Sequence, residues 1–145
     1  TDRSRRRLAR MCVPHERIKL DFGDYSAKCS ALDLRDKVVV ERKMDLNELS
    51  TCFCQERKRF EAEMQRAAEH NAKIYLLTEN GSWENLINGK YKTKFNSKAY
   101  LASITAFMAR YNVTPIFCKE ETSGRLIREI LYRELKERLE SGFYG

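Results

Sequence analysis

Histidine is scarce in this chain, with two residues in 145, and its five cysteines never fall in a Cys-x-x-Cys pair. A structural zinc site needs such ligands clustered at short spacing, so a zinc-stabilised fold is not expected. Cys12, Cys29, Cys52, Cys54 and Cys118 read instead as reduced, mostly buried thiols of a cytoplasmic protein. Long apolar runs are lacking too. Stretches such as Val38-Val39-Val40 fall far short of the roughly 18–20 residues that a membrane-crossing helix needs. No apolar segment follows the first basic residues, so no secretory signal is expected. No internal repeat or low-complexity linker interrupts the chain. Its 145 residues therefore read as one domain, long enough to bury a real core.

Positive charge is present in excess. The formal net charge is +7, and the basic residues cluster at Arg3, Arg5, Arg6, Arg7 and Arg10, then at Lys90, Lys92, Lys94 and Lys98. Such clusters suit a polyanion, because phosphate contacts release counterions and steer association. Solubility and an unstructured basic terminus are the competing accounts, and charge alone does not separate them.

The chain alternates strand-like and helix-like patterns. Residues 5–12 fit a short basic helix ending before Pro14. Ile18, Leu20 and Phe22 alternate with polar neighbours from Arg17 onward, as in a half-buried strand. Gly23-Asp24 marks a bend, and a second strand is expected over about Lys37–Arg42, centred on the three valines. Asp45 and Glu48 form a capping pair. They open a long helix whose apolar stripe runs through Leu49, Cys52, Phe53, Phe60, Met64 and Ala67. A buried strand over Ile74–Leu77 follows, closed by Thr78-Glu79-Asn80-Gly81. A short helix or turn is expected around Trp83, then a basic loop, then a helix through Tyr100, Leu101, Ile104, Phe107, Met108 and Tyr111. Val113–Cys118 reads as an edge strand because Pro115 cannot donate to a ladder. A last helix is expected over about Gly124–Leu139. Its apolar stripe suits a core or a subunit interface equally. The pattern implies an α/β layered fold, with the later strands parallel because crossover helices separate them.

Chemistry concentrates in Gly23-Asp24-Tyr25 and Val40-Glu41-Arg42-Lys43. Alternate residues of a strand share a face, so Glu41 and Lys43 point the same way. If the two strands form a hairpin, Asp24 reaches the same point. Two carboxylates and a lysine at a sheet edge suit phosphodiester hydrolysis. Hard oxygen donors from Asp24 and Glu41, with a backbone carbonyl near Arg42 as a third ligand, would hold Mg²⁺ or Mn²⁺. Lys43 would orient or help deprotonate a water, or stabilise developing charge. Without further context, an acid followed by Glu-x-Lys more often marks a solvated strand end.

The pair Gly23-Asp24-Tyr25 and Val40-Glu41-Arg42-Lys43 resembles the nuclease domain of the XPF and Hef structure-specific endonucleases. Their signature is Gly-Asp … Glu-Arg-Lys-x-x-x-Asp, within the restriction-endonuclease-like class. The resemblance extends from about Arg17 to Leu135. It implies a central mixed sheet flanked by helices, with a basic segment over 1–16 and the nuclease domain over 17–145. It also implies cleavage of DNA at branched, flap or single-strand junctions, a role in DNA repair, and a cytoplasmic or nucleoid-associated location. Asp24, Glu41, Lys43 and Arg42 fall on the family's catalytic motif, and Arg59 on a helical arginine that the family places nearby. Glu63 stands four residues further on, where eukaryotic members often have glutamine, and Glu79 stands where relatives tend to have an acid. Glu56, Arg59 and Glu63 read equally well as an ion-pair stripe on one helical face.

The chain departs from the family at three points. Asn47 stands in place of the signature's last acid, with Asp45 the nearest substitute if that acid is a cap. The family's opening strand with Asp-x-Arg-Glu has only a faint echo in Thr1-Asp2-Arg3-Ser4, which implies a chain without that strand. These 145 residues show no counterpart of the paired helix-hairpin-helix DNA-binding domain of many relatives, so substrate selection is expected to rest on the domain itself, on a separate DNA-binding domain or on a homodimer. In the loop Asn88–Lys94, the lysines Lys90, Lys92 and Lys94 are expected to hold phosphates, with Tyr91 stacking on an unpaired base. A solvated loop is the simpler account. A catalytically inactive DNA-binding or scaffold subunit that kept the fold is the alternative function.

Overall fold

A computed structural model describes residues 19–142. The basic residues Arg3–Arg10, Cys12 and the helix expected over 5–12 lie outside them. The described elements run β1 (Val38–Lys43), α1 (Leu46–Cys52), α2 (Arg57–Glu69), β2 (Lys73–Glu79), α3 (Trp83–Ile87), α4 (Ser97–Arg110), β3 (Val113–Cys118) and α5 (Glu120–Ser141). The strands form one parallel sheet in the order β1-β2-β3, with Val39 opposite Ile74 and Leu76 opposite Pro115. Pro115 does sit on an edge strand, where its missing N–H leaves no partner wanting.

Strand pleating divides the core into two layers. Val39, Ile74, Leu76 and Val113 face α1–α4, meeting Leu49, Phe60, Met64, Tyr100 and Phe107. Val38, Val40 and Leu77 face the other way, meeting Tyr25, Leu34, Ile127 and Leu131. The apolar stripe of α5 is thus used against the sheet, which resolves the choice between core and subunit interface for those positions. Both β-α-β crossovers cover one face, and α5 returns across the other.

Four expectations change on contact with the structure. Lys19–Phe22 forms no ladder, and the anticipated hairpin shrinks to a single antiparallel bridge between Tyr25 and Val40. The long helix from Asp45 is two helices. Ser50 and Thr51 hydroxyls take the Asn47 and Glu48 carbonyls at 2.7 Å each, and Cys52 Sγ also reaches the Glu48 carbonyl. Such back-bonding weakens a helix interior. Phe53 then leaves the helix to seat its ring edge-on against Phe60 and Phe107. The last helix begins at Glu120, four residues before Gly124, because buried Ser123 and Gly124 let its first turn close on the sheet. Finally, only Cys52 of the described cysteines is buried, while Cys29 and Cys54 are exposed.

Candidate active site

The site is built at the C-terminal end of β1, where open parallel sheets present their loops and ligands. Alternation places Val39, Glu41 and Lys43 on the α1–α4 side and Val38, Val40 and Arg42 on the α5 side. The segment after Gly23 crosses β1 here. Asp24 and Tyr25 N–H groups donate to the Val40 carbonyl at 2.8 and 3.1 Å, and the Val40 N–H returns a bond to Tyr25 at 2.9 Å. The Asp24 carboxylate accepts the Arg42 backbone N–H at 2.8 Å. Gly23 makes this approach possible. Its φ is +77°, and an added Cβ would lie 2.6 Å from Val39. From α2, Glu63 accepts the Gly23 N–H at 3.0 Å, fixing the turn that carries Asp24.

Asp24 and Glu41 lie close enough for each to act on the other's titration. Lys43 Nζ lies 3.2 Å from Glu41 Oε2 and 5.7 Å from the centre of the Phe60 ring. Glu41 is 7% exposed. Burial, then the charges of Asp24 and Glu63, push its carboxyl up to about 8, against the pull of Lys43. Asp24 is exposed by its overall surface. Desolvation of its carboxylate raises it as well, opposed by the Arg42 N–H and the Lys43 charge. Burial works against the charge on Lys43, but Glu41 outweighs it and holds the ammonium above its ordinary value. These directions agree if the acid pair shares one proton, leaving one negative charge to face Lys43. Two hard oxygen donors that burial and mutual repulsion make costly to charge fit a divalent cation, which would relieve that cost.

Arg42 is not in this cluster. Its guanidinium turns to the α5 face, donating to Glu79 Oε1 at 2.7 Å, while Glu79 Oε2 accepts from Ser123 Oγ. Glu79 is fully buried, so this chain of contacts ties β1, β2 and the start of α5 together. The sequence gives no sign of Ser123, which lies 44 residues from Glu79. Arg59 also stands apart, with 84% of its side chain exposed and Glu56 3.1 Å away. Glu63 leaves the supposed ion-pair stripe to bind Gly23. Asp45 caps α1, accepting the Glu48 N–H at 2.8 Å, and Glu48 accepts the Met44 N–H at 3.1 Å. Lys90, Lys92 and Lys94 are exposed on a loop beside α1. Tyr91 in that loop is not a free stacking platform. Its ring packs edge-on against Tyr100, and its hydroxyl donates to the Phe95 carbonyl at 2.6 Å.

Among the described residues, Asp21, Asp36 and His70 bring three ligand atoms within 4.8 Å of one another. This group sits near the N-terminal ends of β1 and β2, away from Lys43, and sequence reading missed it because its members are far apart in the chain. No described helix is long and apolar enough to cross a membrane.

A family model, the ERCC4 domain, matches residues 2–130 of the chain. Comparison with curated proteins and with solved structures found no match.

Proposed function

The chain belongs to the ERCC4 domain family, whose members are generally structure-specific nucleases and usually use divalent metals, and on that premise we propose that it is a metal-dependent DNA endonuclease. It hydrolyses phosphodiesters at branched, flap or single-strand junction DNA, and Asp24 and Glu41 would hold Mg²⁺ or Mn²⁺. One observation carries the catalytic part: a buried carboxyl at Glu41, raised to about 8, within reach of a second acid and 3.2 Å from an ammonium. An isolated, solvated strand end would have no reason to gather such a set.

When bound, the metal supplies a water of lowered pKa and neutralises charge on the phosphate. The chain's own groups do the rest. Asp24 and Glu41 furnish oxygen ligands, and the backbone carbonyl at Arg42 is the candidate third. Lys43, which keeps its proton, orients the attacking water and stabilises negative charge on the phosphoryl oxygens rather than serving as a base. Glu63 and the Arg42 N–H hold Asp24 in place. The Arg42 guanidinium acts from behind the sheet, as a tether for the strand end. Exposed Arg59 and the lysines of the 90–94 loop supply phosphate contacts.

A labelled DNA fork incubated with Mg²⁺ or Mn²⁺ tests this reading. Wild type is expected to cut, and Asp24→Asn to lose at least about a hundredfold in rate, the scale seen when a group acting on the transition state is removed. Equal cutting by both proteins would end the assignment. Fork binding by wild type without cutting would instead leave a DNA-binding subunit that kept the fold.

A further inference from the structure

Asn47 occupies the position where the resemblance calls for an acid, and the structure gives it a specific task. Its Oδ1 accepts the Lys92 backbone N–H at 2.7 Å, across 45 residues of chain. Beside it, the Ser50 and Thr93 hydroxyls meet at 3.1 Å. Tyr91 and Phe95 both pack on Tyr100, with ring centres 5.2 and 5.0 Å away, and the Tyr100 hydroxyl donates to the Leu46 carbonyl at 2.7 Å. The loop is therefore pinned to the first turns of α1, which follow Lys43 by only a few residues.

Pinning sorts the side chains of the loop. Tyr91, Thr93 and Phe95 are half-buried, whereas Lys90, Lys92 and Lys94 are exposed. Apolar and hydroxyl groups alternate inward while ammonium groups alternate outward. A freely moving loop would hold no such order. With its backbone held, the loop presents three exposed lysines to a strand of phosphodiesters, and holding that backbone in advance lowers the ordering cost of binding.

We propose that Asn47 is a positioning residue for DNA binding: it docks the 90–94 loop so that Lys90, Lys92 and Lys94 grip the sugar–phosphate backbone of one strand as it passes the Asp24–Glu41 edge. The proposal rests on the nuclease reading for the fate of that strand, but the docking itself is measurable without cleavage.

Three readouts test it on the full chain. Limited trypsin digestion reports the loop, since cleavage follows lysine. Asn47→Ala is expected to speed nicking after residues 90–94, and Asn47→Asp, which keeps an acceptor for the Lys92 N–H, to restore resistance. Anisotropy of a labelled fork in EDTA reports binding. Loss of one hydrogen bond should weaken binding by roughly three- to tenfold in Asn47→Ala, and Lys92→Ala should lower the salt slope by about one phosphate contact. Steady-state cleavage should show the Asn47→Ala loss in KM rather than kcat. If Asn47→Ala leaves both nicking and binding unchanged, the docking role is wrong. If it frees the loop but leaves DNA affinity intact, or lowers kcat alone, the DNA-guiding role is wrong. A wild type that binds forks without cutting them would refute the nuclease reading while trypsin and anisotropy still decide this one.

Discussion

Burial and two neighbouring acids act on Glu41 in the same direction, and the consequence is a dependence of stability on pH. In the unfolded chain this carboxyl releases its proton near 4.5; in the folded protein it holds it to about 8. Below pH 4.5 both states are protonated and nothing is gained or lost. Between these values the native state binds the extra proton, so raising pH costs stability, and above about 8 the loss is complete. The expected result is a melting temperature in EDTA that falls across this window, a fall that Mg²⁺ or Mn²⁺ reduces and that Glu41→Gln largely removes. Parallel profiles for wild type and Glu41→Gln would discard the account. At this scale the sequence had already marked Asp24, Glu41 and Lys43, because strand alternation puts residues 41 and 43 on one face. The same alternation sends Arg42 to the opposite face, which the motif as a string of letters does not convey.

At the scale of elements, the expected hairpin is reduced to a crossing at one bridge, and Gly23 is the residue that permits it. Its left-handed backbone and its contact with Val39 leave no room for a side chain. Gly23→Ala is expected to destabilise the protein by roughly 2–4 kcal/mol, from backbone strain together with overpacking. Urea denaturation monitored by circular dichroism measures this, and a change under about 0.5 kcal/mol, the size of an ordinary surface substitution, would contradict it. Local sequence signals were strong for the elements themselves. Asp45 does cap α1, the valine run is β1, and Pro115 is on an edge. They failed where competition among side chains decides, as at Ser50, Thr51 and Cys52, whose bonds to helix carbonyls end α1 early.

For the molecule as a whole, one buried polar contact that joins the sheet to α5 is the path from Arg42 through Glu79 to Ser123. Glu79→Ala would leave the Arg42 guanidinium, 11% exposed, without its acid. The expected cost is about 3–5 kcal/mol, the penalty for stranding one member of a buried ion pair. Thermal and urea unfolding check the value, and a loss below about 1 kcal/mol would mean that water reaches Arg42 freely. Glu79→Gln, which keeps a hydrogen-bond acceptor, should lose less than Glu79→Ala. The sequence by itself determined the α/β pattern, the parallel crossovers, the chemical character of Asp24, Glu41 and Lys43, and the basic loop, since each follows from local periodicity or residue type. Only the tertiary structure decided that Glu63 binds Gly23, that Arg42 points away from the acids, that Tyr91 is a packed peg, and that Asn47 holds Lys92. Those outcomes depend on groups tens of residues apart meeting in a packed interior, and no local pattern along a chain encodes which of them will meet.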